Sequence, residues 1–178
     1  MNRNATISTI LLLTGISVGA LWIVRGKTKK NDQNNTSMNN TNLPRGYRNN
    51  NPLNIRINQA NNWQGKISPN TDGAFEQFVS MTYGYRAAMS LIRTYITKYN
   101  CHTLAQIISK WAPNNENNTG GYILRVCNTT GYTPDTIIDP NNQAQMSNLV
   151  YAMSLVENGN KPAPDTAAIR EAWNLYSN

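Results

Sequence analysis

The stretch MTYGYRAAMSLIRTYITKY, residues 81–99, decides the predicted fold class, because its apolar residues are spaced differently from those before it. They recur at intervals of three and four residues, which is the period of an amphipathic helix. These positions are Tyr85, Ala88, Met89, Ile92, Tyr95, Ile96 and Tyr99. We therefore predict a helix over 81–99 and a change of local structure near Ser80.

Upstream of this helix, three short segments are predicted to be extended. They are LNIRI at 53–57, WQGKIS at 63–68 and AFEQFV at 74–79. In the first of them Leu53, Ile55 and Ile57 alternate with polar residues, which is the period of a half-buried strand. Glycine, proline and asparagine separate the segments, as is typical of hairpin turns. This part of the chain is therefore predicted to form a small antiparallel β lobe.

Downstream, helix-start and helix-stop residues predict four further helices. Thr103 begins LAQIISKWA, Thr119 begins GGYILRVCNTT, the pair Asp139 and Pro140 begins a helix over 141–158, and the last is TAAIREAWNLY. A β lobe followed by a helical body gives the α+β class.

The N-terminal segment ATISTILLLTGISVGALWIV, residues 5–24, has no charge over twenty residues, the length that a transmembrane helix needs. Residues 1–30 are therefore predicted to be a membrane anchor, 31–43 an asparagine-rich flexible linker and 44–178 the globular domain. We expect a single-pass protein of a virion membrane or host inner membrane, with the domain in the periplasm. The basic cluster after residue 24 argues for the opposite orientation.

Charge and cysteine content exclude several classes of function. The net charge is +7, but five of the sixteen basic residues lie in the first thirty, so the globular part lacks the basic stripe of a nucleic-acid-binding protein. With two cysteines and one histidine, we expect no metal site and no cofactor. Whether Cys101 and Cys127 form a disulfide stays open.

Cleavage of a sugar polymer requires a carboxyl group that is protonated near neutral pH. Glu116 lies in the loop KWAPNNENNTGGY between Trp111 and Tyr122, where partial burial could raise its pKa, or where it could simply favour a helix N-terminus. Asp72 lies in an Asp-Gly turn, a pair that hairpins favour for backbone reasons. Glu76 is expected on the solvent face of a strand, and the glutamates at 157 and 171 on solvated helix faces. Trp63 and Trp111 border polar segments and could stack on sugars or pack in the core.

Several motifs in this order resemble the P5-type structural proteins of phages, which carry the signature RGxRNNNPGNIR. They are RGYRNNNPLNIR, WQG, DGAFEQF, YGYRAAMSLIRTY, TLAQIISKWAPNNENNTGGYILRV and GYTPDT, which lie within about residues 44–136. Leu53 stands where the signature has glycine.

The order of N-N-x-x-x-I, W-x-G, an extended T-x-acid and an aromatic-rich helix is also distantly similar to glucosaminidases and lytic transglycosylases, which have a lysozyme-like fold. This resemblance implies that Asn51, Asn54 and Arg56 contact the saccharide. It also implies that Asp72 is the second carboxylate and Tyr122 a cleft tyrosine. Those enzymes carry their catalytic glutamate on a helix before the asparagine motif, whereas residues 33–48 of this chain contain no acid. Either Glu116 is the acid, or the fold is retained without catalysis.

The resulting expectation is a phage-encoded, membrane-anchored enzyme that degrades peptidoglycan as a hydrolase or a transglycosylase. In this reading Glu116 and Asp72 are catalytic, and Asn51, Asn54, Arg56, Trp63, Trp111 and Tyr122 bind the substrate. The alternative is a non-catalytic virion or membrane structural protein with a cleft that binds glycan or a capsid partner. Expected partners are glycan strands, a membrane through residues 5–24 and other virion proteins, but no nucleic acid.

Overall fold

The computed structural model describes residues 42–115 and 118–178, and within these ranges the protein is mainly helical. The helices are α1 (Arg45–Arg48), α2 (Met81–Tyr99), α3 (Leu104–Trp111), α4 (Thr119–Thr130), α5 (Gln143–Asn158) and α6 (Thr166–Ser177). Helix α2 has the predicted bounds, and its apolar spacing buries one face from Tyr85 to Ile96. The period of the sequence therefore predicts the main helix correctly.

The helix ends follow the predicted signals only in part. The side chain of Thr103 caps α3 as predicted, in a reciprocal pair with the third helical residue. Asn118 caps α4 in place of Thr119, and Asn142 caps α5 in place of Asp139. In both helices the asparagine side-chain oxygen accepts a hydrogen bond from a backbone N–H of the first turn, which is what an N-cap provides.

Helix α5 lies at the centre of the helical packing. It contacts α1, α2, α4 and α6, while α2 packs mainly against α6. The buried side chains of α5 include Met146, Leu149, Val150 and Met153, which recur at helical spacing. A side chain on this face of α5 therefore points into the core.

The predicted β lobe is wrong, and with it the α+β, lysozyme-like fold class. The described ranges contain no sheet. The three segments meet only at isolated antiparallel bridges, which join Arg56 to Phe75 and Lys66 to Phe78. The correction concerns the extent of pairing, because these segments do lie side by side as the sequence predicts.

Two local features keep the pairing short. Asn54 and Gly65 have φ angles of 50° and 73°, which turn the chain out of the extended direction within the first two segments. The buried Asn51 amide also donates hydrogen bonds to the carbonyls of Ile55 and Glu76, both at 2.9 Å. A side chain thus lies between the segments and bonds groups that a strand ladder would use.

The predicted localisation as a single-pass membrane protein, with its domain in the periplasm, is corrected by the structure. None of the helices in residues 42–115 and 118–178 is long and apolar enough to span a membrane. The segment 5–24, to which the sequence assigns the anchor, lies outside the described residues. The division into 1–30, 31–43 and 44–178 stays a prediction.

Cys101 and Cys127 are both free thiols with half-buried side chains. The question of their pairing, which the sequence leaves open, is therefore answered in favour of separate thiols.

Candidate functional site

Three polar side chains from distant parts of the sequence meet at the carboxylate of Glu157. The Nε1 of Trp111 donates to Glu157 Oε1 at 3.2 Å, and the hydroxyl of Tyr122 donates to the same oxygen at 3.0 Å. The amide Nδ2 of Asn54 donates to Glu157 Oε2 at 3.0 Å. Both carboxylate oxygens are therefore bound by donors from three other elements.

Each of these side chains is positioned by the end of an element. Glu157 lies in the last turn of α5, Trp111 is the last residue of α3, and Tyr122 lies in the first turn of α4. Asn54 follows α1 in a left-handed backbone conformation, which asparagine tolerates better than most residues. The site therefore depends on the relative placement of α3, α4 and α5.

Burial dominates the electrostatics of this site. It raises the pKa of the Glu157 carboxyl above its ordinary value, although the hydrogen bonds from Asn54, Tyr122 and Trp111 each lower it. Burial also raises the pKa of Tyr122 well above its ordinary value, so its hydroxyl stays a donor at neutral pH. The site therefore favours protonation of Glu157 at a higher pH than an exposed glutamate would show.

Glu157 lies at the wall of an open cleft with a volume of about 480 Å³. The lining combines aromatic rings, side-chain amides and one guanidinium, contributed by Phe75, Tyr95, Trp111, Asn54, Asn58, Asn61 and Arg56. A larger cavity of about 710 Å³ lies between the first turns of α5 and α6, and its lining does not include Glu157. The smaller cleft is the candidate site, because the partly buried Glu157 carboxylate and two of its donors line it.

Three of the predicted substrate-binding residues line this cleft, and a fourth, Tyr122, contacts the cleft carboxylate from outside the lining. Asn54, Trp111 and Tyr122 bond Glu157 directly. Arg56 lines the cleft, and its guanidinium carbon lies 5.6 Å from the centroid of the Phe75 ring. These residues lie up to 103 positions from Glu157 in the chain, so only the fold assembles them.

The other two predicted substrate-binding residues lie away from the cleft lining. The side chain of Asn51 is fully buried and bonds backbone groups of the neighbouring segments. Trp63 is half-buried against the core, and its Nε1 finds no hydrogen-bond partner among the described residues.

Asp72 is held by a dense set of donors. The Arg45 guanidinium donates two hydrogen bonds at 2.8 and 2.7 Å, and the Asn49 amide donates one at 2.7 Å. The backbone N–H groups of Ala74 and Phe75 add two more. The hydrogen bonds from Arg45 hold the pKa of Asp72 well below its usual range. Asp72 does not line the cleft, so these contacts give it a role in closing its own turn.

Glu116, the predicted acid, lies outside the described residues. The carboxylate that the structure places at the cleft is instead Glu157, for which the sequence predicts a solvated helix face. A signal was available, because Glu157 follows the buried Val150 and Met153 of α5 by seven and four residues. That spacing puts it on the same face of the helix.

Within the described part of the chain, no cluster of three histidine, cysteine or acidic side chains could hold a metal ion. The described lining of the cleft offers hydrogen-bond donors and acceptors, aromatic rings and the Glu157 carboxyl group.

No family model matches the chain. Over 120 residues it is 38% identical to Protein P5 of Pseudoalteromonas phage PM2, and the match covers 66% of this chain and 73% of that protein. The chain belongs to the P5 family of phage proteins. This confirms the phage family that the sequence motifs indicate, and the cleft around Glu157 is a feature of a P5-family protein.

Proposed function

We propose that this P5-family protein is a non-catalytic phage structural protein whose cleft binds glycan strands. The observation that carries this proposal is the carboxylate of Glu157, held by three donors at the wall of a cleft lined by aromatic rings and amides. Aromatic faces pack against the apolar faces of sugar rings. Side-chain amides both donate and accept hydrogen bonds, which suits hydroxyl and N-acetyl groups.

Two observations favour binding over cleavage. Among its described residues, the cleft lining contains Glu157 as its single carboxylate, whereas glycosidases commonly use a pair. Both oxygens of Glu157 also accept hydrogen bonds from protein groups. A general acid must instead present its proton to the leaving oxygen of the substrate.

The test is cosedimentation of the full chain with purified, insoluble peptidoglycan. Asn61→Trp places a large side chain at the cleft wall and should reduce the bound fraction strongly. Gln59→Trp is the matched control, because Gln59 is exposed in the same loop and does not line the cleft. Equal retention of the two variants would show that the cleft is not the binding surface.

A second candidate function is cleavage of the glycan with Glu157 as a single acid. It is favoured by one observation, the burial that raises the pKa of this carboxyl at the cleft wall. A transglycosylase needs one acid, because a hydroxyl of the substrate itself closes on the anomeric carbon.

Release of soluble fragments from peptidoglycan separates the two functions. A binding protein leaves the wall intact, whereas a transglycosylase releases anhydro-sugar products. Glu157→Gln should abolish that release, because the amide cannot donate a proton to the leaving oxygen. No release by the wild type supports binding alone.

A further inference from the structure

A row of aromatic side chains leads out of the cleft along the surface. Trp111 and Tyr95 line the cleft, and their ring centroids lie 6.2 Å apart. Tyr99 follows Tyr95 by one turn of α2, again with 6.2 Å between the ring centroids. Tyr99 is 50% exposed, a high value for a large aromatic residue. Both pairs meet edge to face, with interplanar angles of 80° and 65°, so the row extends aromatic contacts from the cleft to a position beyond it.

Two ammonium groups lie at the outer end of this row, and that of Lys110 is nearer to the Tyr99 ring than that of Lys98, which is 6.0 Å from its centroid. The ammonium of Lys110, in the last turn of α3, lies 4.1 Å from the centroid of the Tyr99 ring and 6.0 Å from that of Tyr95. Lys110 is exposed, and no acid in the described part of the chain forms an ion pair with it. Its charge is held at the aromatic row by cation–π attraction and stays open to a ligand.

We propose that Tyr95, Tyr99 and Lys110 form an outer subsite, continuous with the Glu157 cleft, that binds an acidic sugar unit of a glycan chain. This inference rests on the proposed glycan-binding function and adds the substrate class. The ring of the sugar packs on the exposed tyrosine, and its carboxylate pairs with the lysine ammonium.

The spacing of the row supports a chain ligand. Successive centroids 6.2 Å apart are on the scale of one sugar ring, so a strand that fills the cleft beside Trp111 would reach Tyr99 with its next units. A single sugar in the cleft would leave the outer subsite unused. Affinity should therefore rise with chain length, and it should rise more for acidic than for neutral chains.

The test uses isothermal titration of the full chain with soluble glycans of defined length. The acidic probes are peptidoglycan strands freed of peptides, with two and with six sugar units, and the neutral probe is chitohexaose. We expect the acidic six-unit strand to bind about tenfold more tightly than the two-unit strand, which corresponds to about 1.4 kcal/mol. Tyr99→Ala should remove most of this gain without changing the affinity for the two-unit strand.

Lys110→Ala should remove the preference for the acidic strand over chitohexaose, and Lys110→Arg should keep it. Lys161→Ala is the charge-matched control, because Lys161 is exposed and lies outside the cleft lining. A length gain that persists in Tyr99→Ala, or an acidic preference that persists in Lys110→Ala, overturns the outer subsite while the cleft still binds glycan. No binding of any glycan strand by the wild type overturns both proposals. Tighter binding of an oligothymidine than of the glycan strands also overturns both.

Discussion

Removal of the Glu157 carboxylate should destabilise the protein, because three donors lose their acceptor at once. A hydrogen bond contributes about 1 kcal/mol net, so the three together correspond to about 3 kcal/mol. Relief from burying a charged group offsets part of this loss. We therefore expect Glu157→Ala to lower the free energy of unfolding by about 2 kcal/mol at neutral pH.

Glu157→Gln distinguishes the two hydrogen bonds to Oε1 from the one to Oε2. Its amide oxygen can occupy the place of Oε1 and accept from Trp111 and Tyr122, whereas its amide nitrogen would face the Asn54 nitrogen as a second donor. One of the three hydrogen bonds is lost, so the expected decrease is about 1 kcal/mol. Urea unfolding followed by tryptophan fluorescence measures both values, and Trp111 reports directly on the site.

Glu171→Ala is the control, because Glu171 is an exposed helical glutamate with one hydrogen bond, at 3.2 Å from Thr82. It should change the free energy of unfolding by no more than about 0.5 kcal/mol. If Glu157→Ala is as mild as this control, the three hydrogen bonds do not stabilise the fold. If Glu157→Gln is as severe as Glu157→Ala, the contacts to Oε1 do not survive in the amide.

Three further predictions concern titration and packing. Because burial raises the folded-state pKa of Glu157, its contribution to stability is fully present below its ordinary pKa of 4.5 and is lost as the pH rises through the raised value. The stability of the wild type relative to Glu157→Gln should therefore fall as the pH rises from 4.5 through the raised pKa in urea titrations, and a constant difference would contradict this. Asp72 has a lowered pKa, so the urea midpoint of Asp72→Asn should lie furthest below that of the wild type at neutral pH. This difference should shrink as the pH falls below 3.8, and a difference that grows would refute the lowered pKa of Asp72. Gly84→Ala should cost about 2 kcal/mol in urea unfolding, because its methyl group collides with the Asn50 carbonyl, whereas Gly120→Ala meets no atom and should change stability by about 0.5 kcal/mol or less.

Helices are the part of this fold that the sequence predicts well. The bounds of α2 and the cap of α3 follow from apolar spacing and from Thr103. The shifted caps of α4 and α5 show the limit of such signals, because Asn118 and Asn142 compete with neighbouring residues that cap equally well in principle. The spacing of apolar residues therefore predicts that a helix exists, while the residue at which it begins depends on local geometry.

The extended segments could not be resolved in the same way. Alternation at Leu53, Ile55 and Ile57 predicts which side chains face the core, and the first two are buried. It does not predict how many backbone hydrogen bonds neighbouring segments share. The left-handed conformation of Asn54 and the inserted amide of Asn51 limit that number, and both depend on tertiary contacts.

The angular position of Glu157 on helix α5 explains why the prediction of a solvated glutamate is wrong. An acid on a helix is solvated only if its phase differs from that of the apolar residues, and Glu157 shares the phase of Val150 and Met153. A carboxylate in that phase requires donors, because an unpaired buried charge is costly. Trp111 and Tyr122, which the sequence places beside polar loops, meet that requirement. The phase of Glu157 therefore predicts a carboxylate that needs donors, while the fold decides which donors meet it.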